Sequence, residues 1–324
     1  MMKNKKAQDG GERKYNIHIW IDDLEPGNGM GSAAGAQKLC AVFASLPFLP
    51  PHMASKNVNI LLASIFYAKF RSAFGNAAVF HKLIDELNEI SEHGIYIQTA
   101  SCATKIQFRL SLILGDNLAL NEVLGFFWSF VALRFCRICL ATKDMCRTMC
   151  VSDMSLARNP INYAIHSKIP SSKNGLKEFC AFNKVIDYEV PVSKSADLMH
   201  DVSGGIIPYT LSKILTALII DEELFSVQEF NSALDRFDFG PEQNKPRHIF
   251  IKPSKEKTTI KGCKQKIKIK QSASEALCLC RYLGLIIGTI EGKKYPGQIN
   301  IGSFIKFSDQ LLTLLQRQII FEMI

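Results

Sequence analysis

Cysteine is scarce in this chain: ten in 324 residues, too few for a disulfide scaffold. Half of them, Cys136, Cys139, Cys146, Cys150 and Cys180, crowd into one short region, which suits metal binding in a reducing compartment. Long apolar runs are also missing. No stretch reaches the roughly 18 uncharged apolar residues of a membrane span, because the nearest candidates are broken by Asp116, Arg134 and Lys213. The start, Met1 to Lys14, is charged and has no apolar core for a signal peptide. Acids are outnumbered, 30 against 39 Lys and Arg, leaving a net charge of +9 and a pI near 9.0. That balance favours a polyanionic partner, most simply nucleic acid. Disorder is excluded by 47% hydrophobic and 21% charged residues. The expectation is a folded, non-membrane protein of the nucleus or cytoplasm, without internal repeats and with enough chain for one large domain or two ordinary ones.

The clearest periodic signal is Ile106 to Leu114, apolar at every even position, as a strand with one buried face must be. It runs into Gly115-Asp116-Asn117, a carboxylate at a strand end, and Cys136-Arg137-Ile138-Cys139 follows twenty residues later. Tyr15 to Ile21 alternates in the same way and ends at Asp22-Asp23. Asn28 to Ser32 reads as a turn. Leu39 to Leu46, stopped by prolines, and Val58 to Tyr67 supply two further strands. The period then changes: Val79, Phe80, Leu83, Ile84, Leu87 and Ile90 mark one helix face, and Gly94 closes it. Ile95 to Thr99 reads as a short strand. Three strands, a helix and a further strand is the order of the ribonuclease-H-like fold, in which the first and fourth strands are neighbours. Asp22 and Asp116 would meet there.

Beyond that point Glu122 to Ala132 reads as helical, and Arg134 to Val192 as an irregular insertion. Helices are predicted over Ala196–Ile220, with Leu211, Ile214, Leu215, Leu218 and Ile219 as a buried stripe, and over Glu222–Phe237, Ser272–Ile287 and Ser303–Ile320. Lys252 to Lys270 holds eight lysines and one acid, Glu256, and reads as a solvated linker or a phosphate-contacting segment. The fold class expected is α/β: a ribonuclease-H-like mixed sheet with a mostly helical, zinc-binding insertion and a helical C-terminal part. The corresponding divisions are a disordered segment 1–14, the first part of the core 15–133, a Cys-rich insertion 134–195, a helical return 196–250, a Lys-rich linker 251–271 and C-terminal helices 272–324.

Asp22, Asp23 and Asp116 are the strongest candidates for chemistry. Converging carboxylates repel unless they share a divalent cation, and Mg²⁺ ions so held activate an attacking oxygen and stabilise a leaving one at a phosphodiester. The plainer alternative is that these acids begin turns and cap helices. Cys136 and Cys139 supply half of a tetrahedral zinc site. Cys180, His200, His166, Cys146 and Cys150 are candidates for the other half, and free cysteine is also common in cores. His200 sits at a helix entry between Asp197 and Asp201.

Four blocks together resemble the catalytic region of animal transposases of the CACTA, Mirage and Chapaev group. They are Trp20–Pro26 with Asn28–Ser32 and Leu46–Pro51; Gly115–Asn121 leading through Leu124-Gly125-Phe126 to Cys136–Cys139; Gly175–Cys180; and Asp197–Asp201. They occur in the family's order and span about Tyr15 to Gln310. The family is similar to the catalytic core of the antigen-receptor recombinase. The resemblance implies a ribonuclease-H-like fold, a third acid on a late helix, a zinc-binding insertion around the CxxC pair, and Mg²⁺-dependent cleavage and joining of DNA at element ends. A homo-oligomer is a further candidate partner. On that analogy Asp22 or Asp23 and Asp116 are the first two metal ligands. Asp197 and Asp201 match the fourth block as the third, with Glu222 or Glu223 as alternatives. For zinc, the resemblance implies the pair Cys136 and Cys139, and Cys180 and His200 are the residues put forward to complete it. Gly204 stands where relatives carry Glu, and Glu189 where a His is expected, so the resemblance also implies a truncated or degenerate copy.

Overall fold

The alternation of Tyr15 to Ile21 produces a central strand because Ile17, Ile19 and Ile21 can all be buried on one side. The computed structural model describes residues 14–27, 37–54, 56–100, 103–128, 132–149, 151, 153–241, 243–252 and 266–290. The expectations for 1–13, Asn28 to Ser32, Cys150, Ser303 to Ile320 and most of the Lys-rich stretch lie outside these residues. The protein is mixed α/β, with a five-stranded mixed sheet and several helices, and divides into two compact units at Ala196/Asp197.

In the first unit the strands are β1 (Lys14–Leu24), β2 (Leu39–Ser45), β3 (Leu61–Tyr67), β4 (Ile95–Gln98) and β5 (Ala103–Gly115). Their order across the sheet is β3-β2-β1-β5-β4. β1 pairs antiparallel with β2 and parallel with β5, while β2–β3 and β4–β5 are antiparallel. The expected neighbouring of the first strand and Ile106–Leu114 is therefore present. A parallel pair needs a long crossover, which here contains α2 (Lys69–Phe74), α3 (Asn76–Val79) and α4 (His81–Glu92); α1 (Pro51–Ala54) lies earlier, between β2 and β3. Phe80, Leu83, Ile84 and Leu87 of the predicted helical stripe pack with Ile17, Ile19, Ile21 and Ile113. Each such burial is worth about 1.5–3 kcal/mol relative to exposure. Gly94, with φ +67, ends the helix region as expected.

Several expectations need correction. β1 does not stop before Asp22-Asp23 but runs through them to Leu24, because β2 continues to pair there, Asp23 opposite Cys40. β3 begins at Leu61 and not at Val58, since Asn57–Asn59 form a 3₁₀ turn. β5 does not bury only its even residues: Gln107 and Ile113 are also inside. For Ile113 the cause is a bulge, in which Ile17 faces Leu110 and His18 faces Leu112, leaving Ser111 as the extra residue that reverses the parity beyond it; Gln107 lies before the bulge and donates to the Glu92 carbonyl. The helix predicted over Glu122–Ala132 is instead α5 (Asn117–Val123). It ends because Gly125 adopts φ +78 at a point where a Cβ would lie 2.5 Å from the Glu178 carbonyl oxygen. The stretch from Arg134 to Val192 is more regular than predicted, with α6 (Lys143–Thr148) and α7 (Pro160–Lys168), the latter started by an Asn159/Asn162 capping box.

The second unit holds one continuous helical run, Met199–Asp221, with π-helical ends around α8 (Ile207–Thr216). Leu211, Leu215 and Ile219 of the expected stripe are buried. By length and composition this run is apolar enough to cross a membrane, Lys213 notwithstanding. α9 (Val227–Arg236) starts five residues later than predicted, where Ser226 and Glu229 form a capping box. α10 (Ala273–Gly288) is capped by Ser272 and Glu275. The ends of the Lys-rich stretch are not linker: β6 (Phe250–Lys252) and β7 (Lys266–Lys268) pair antiparallel, with Ile267 buried.

Candidate active site

In the parallel pair β1–β5 the last hydrogen-bonded rung sets Ile21 opposite Gly115, so Asp22 and Asp116 are the next residues along. Gly115 is required there, since a Cβ would stand 2.7 Å from the Ile21 carbonyl oxygen. Asp22 is exposed and on the sheet face opposite Ile21. Asp116 caps α5: its Oδ1 accepts the Ala119 N–H at 2.6 Å. The capping alternative is thus realised at Asp116, through one of its two carboxylate oxygens.

Asp23 has a different setting. It shares the inner side of β1 with the isoleucines, and its Oδ2 lies 2.7 Å from Arg71 Nη2 and 3.1 Å from Lys38 Nζ. The same Arg71 nitrogen is 3.3 Å from Glu122 Oε2 on α5, and Arg71 Nη1 donates to Cys40 Sγ at 3.5 Å. Burial pushes the Cys40 thiol up to about 12, against a smaller opposing effect of Arg71. Asn76 donates to the Glu122 carbonyl and to Glu178, extending the polar cluster into the Gly175–Cys180 block. Neither Arg71 nor Asn76 was singled out from sequence. Nothing in their local sequence marks their partners.

The CxxC segment docks beside Asp116. Arg137 Nη1 donates to Asn117 Oδ1 at 2.7 Å and its Nε to the Ser195 carbonyl, while Ser195 Oγ donates to the Ile113 carbonyl. The Ile138 N–H points at Cys136 Sγ (3.3 Å), so the turn already directs a backbone donor to that sulfur. Burial raises the Cys139 thiol; the neighbouring Cys136 and Cys146 thiols add to this, while a hydrogen bond from Ala141 opposes it. Beneath them Arg158, 1% exposed, donates from Nε to the Cys136 carbonyl and from Nη2 to the Asn174 carbonyl, and stacks on Phe126. Burial brings its pKa down to about 10. Cys180 lies in the hydrophobic core, its Sγ 3.6 Å from the Val123 carbonyl and its pKa raised by burial to about 12. Among the described residues no three His, Cys, Asp or Glu side chains are grouped closely enough to hold a metal ion.

Asp197, Asp201 and His200 belong to the second unit. Asp197 is 8% exposed and spends both oxygens within its own turn, Oδ1 on the His200 N–H and Oδ2 on His200 Nδ1 at 2.6 Å. Asp201 is exposed, one residue further into the helix. Gly204 and Gly205 sit in the π-helical turn, where a Cβ on Gly205 would lie 2.8 Å from the His200 carbonyl oxygen.

No family model matches the chain, and no curated protein matches it either.

Proposed function

We propose that this chain is a transposase-derived protein of the CACTA, Mirage and Chapaev type, with a ribonuclease-H-like first unit that handles DNA through a degenerate carboxylate site. The observation that carries this reading is the parallel β1–β5 pair with Asp22 and Asp116 one step past its last rung. The sheet order, with antiparallel β2 and β3 on one side of β1 and parallel β5 on the other, supports it as well.

The donor set fits a hard divalent cation. Asp22 is exposed, and Asp116 caps α5 through one of its two carboxylate oxygens. A Mg²⁺ ion bound there would neutralise charge on a phosphodiester. Of the chain's own groups, Asp22 and Asp116 bind, and Asp23, engaged by Arg71 and Lys38, does not. With Gly204 in place of a Glu the acid set is short by one, and loss of one member of such a set lowers rates by orders of magnitude. Zinc would be held by Cys136 and Cys139, whose turn offers the Ile138 N–H to sulfur; Cys146 is the thiol whose charge is felt at Cys139. Localisation to the nucleus and assembly as a homo-oligomer belong to the same reading.

The test uses Mn²⁺ and labelled duplex DNA with the purified full chain. The expected outcome is Mn²⁺ binding that weakens at least tenfold in Asp22→Asn and Asp116→Asn, DNA binding that falls steeply between about 50 and 200 mM salt, and strand nicking that is weak or undetectable. Binding of DNA without salt dependence, or Mn²⁺ binding untouched by both substitutions, overturns the proposal. A non-catalytic zinc-stabilised binding module is the second reading, favoured by the ion-paired state of Asp23. It predicts salt-sensitive DNA binding with no Mn²⁺ site at all.

A further inference from the structure

Arg71 touches both elements presenting the proposed cation ligands. Its Nη2 reaches Asp23 Oδ2 at 2.7 Å, next to Asp22 on β1, and Glu122 Oε2 at 3.3 Å, on the helix that Asp116 caps. The Arg71 side chain is 4% exposed, while its partners Asp23 and Glu122 are only partly covered. The cluster is costly as a stabilising device: among the described residues Asp23 Oδ1 and Arg71 Nε are buried with no hydrogen-bond partner. Apolar side chains would fill such a site at least as favourably. What an ion pair of this kind adds is direction, since each nitrogen fixes where a carboxylate must stand.

We infer that Arg71 is a positioning residue: by clamping Asp23 to Glu122 it locks the end of β1 to the last turn of α5, the helix that Asp116 caps, and thereby sets the spacing of Asp22 and Asp116. Asp23 then serves the clamp and not the cation. The inference rests on the proposed cation site and deepens it by dividing the adjacent acids Asp22 and Asp23 into a ligand and a structural anchor.

The experiment is a Mn²⁺ titration of the full chain by electron paramagnetic resonance, with melting temperature read in parallel. Arg71→Met is expected to weaken Mn²⁺ affinity about tenfold, and Arg71→Lys to recover it to within about threefold, because a cation remains between the two carboxylates. Asp23→Asn should weaken affinity as Arg71→Met does, and the double variant should be no worse than either single one, since both break the same clamp. Additive losses would make Asp23 a ligand in its own right and overturn the inference. So would an Arg71→Met protein, or Glu122→Gln if that variant does not fold, with unchanged Mn²⁺ affinity. Absence of Mn²⁺ binding in the unaltered chain is the separate result that removes the proposed cation site, and the positioning role with it.

Discussion

At the scale of single residues, His18 carries the most direct pH signal. It lies on β1 with 6% exposure, and burial holds its imidazole below the ordinary range. The unfolded chain takes up this proton near pH 6.5, whereas the folded one resists until lower pH. The unfolded state therefore binds more protons on acidification, and stability is lost as pH falls through about 6.5. His166 shifts the same way, through burial and then the charges of Arg158 and Arg134. Urea unfolding should show a midpoint that drops between pH 7 and 5.5, with a shallower drop in His18→Gln. An identical slope in the variant would assign the effect elsewhere. The residues that organise the candidate site, Arg71, Asn76 and Arg158, were not legible beforehand. Arg71 meets Asp23 from 48 residues away and Asn76 meets Glu178 from 102 away, distances over which no local pattern operates.

Among elements, α4 with the turn before it is the piece that holds the crossover against the sheet. Phe80 is fully buried and packs edge-on to Phe66 of β3 at 5.6 Å and against Phe182 at 5.0 Å. Phe80→Ala should cost about 3–5 kcal/mol, the range for an aromatic removed from a packed core, measured as a shift in urea midpoint at unchanged slope. A loss below about 1 kcal/mol would mean that the cavity closes and that α4 is not pinned by this ring. The stripe of α4 and its Gly94 stop were readable because both are local: a 3.6-residue period and a left-handed glycine. The length of α5 was not. Its end depends on Gly125 lying against the Glu178 carbonyl and on Phe126 pairing with Leu176, contacts from another part of the chain.

For the whole molecule, two hydrophobic clusters matter, one built on the five-stranded sheet and one on the helices around Leu211, Phe230 and Leu279. Each unit encloses its own cluster, so heat should unfold the chain in more than one step. Leu279 is fully buried. Leu279→Ala should lower the transition of the second unit by several degrees, consistent with the 2–5 kcal/mol such a truncation costs, while leaving the other transition in place. Differential scanning calorimetry decides the matter: a single transition that moves as one would show that the two clusters unfold together.

Periodicity by itself determined the strands of the sheet, the α4 stripe and the apolar faces of the later helices, because burial on one side of an element is written into its own residues. Charge and spacing likewise drew attention to Asp22, Asp116 and the CxxC pair. Only the tertiary structure decided that Asp23 faces inward onto Arg71, that Asp116 spends an oxygen on Ala119, and that Cys180 is a core thiol. Those outcomes turn on which side of a strand a side chain leaves and on what distant partner waits there. A bulge of one residue at Ser111 is enough to change the first, and only the closed sheet supplies the second.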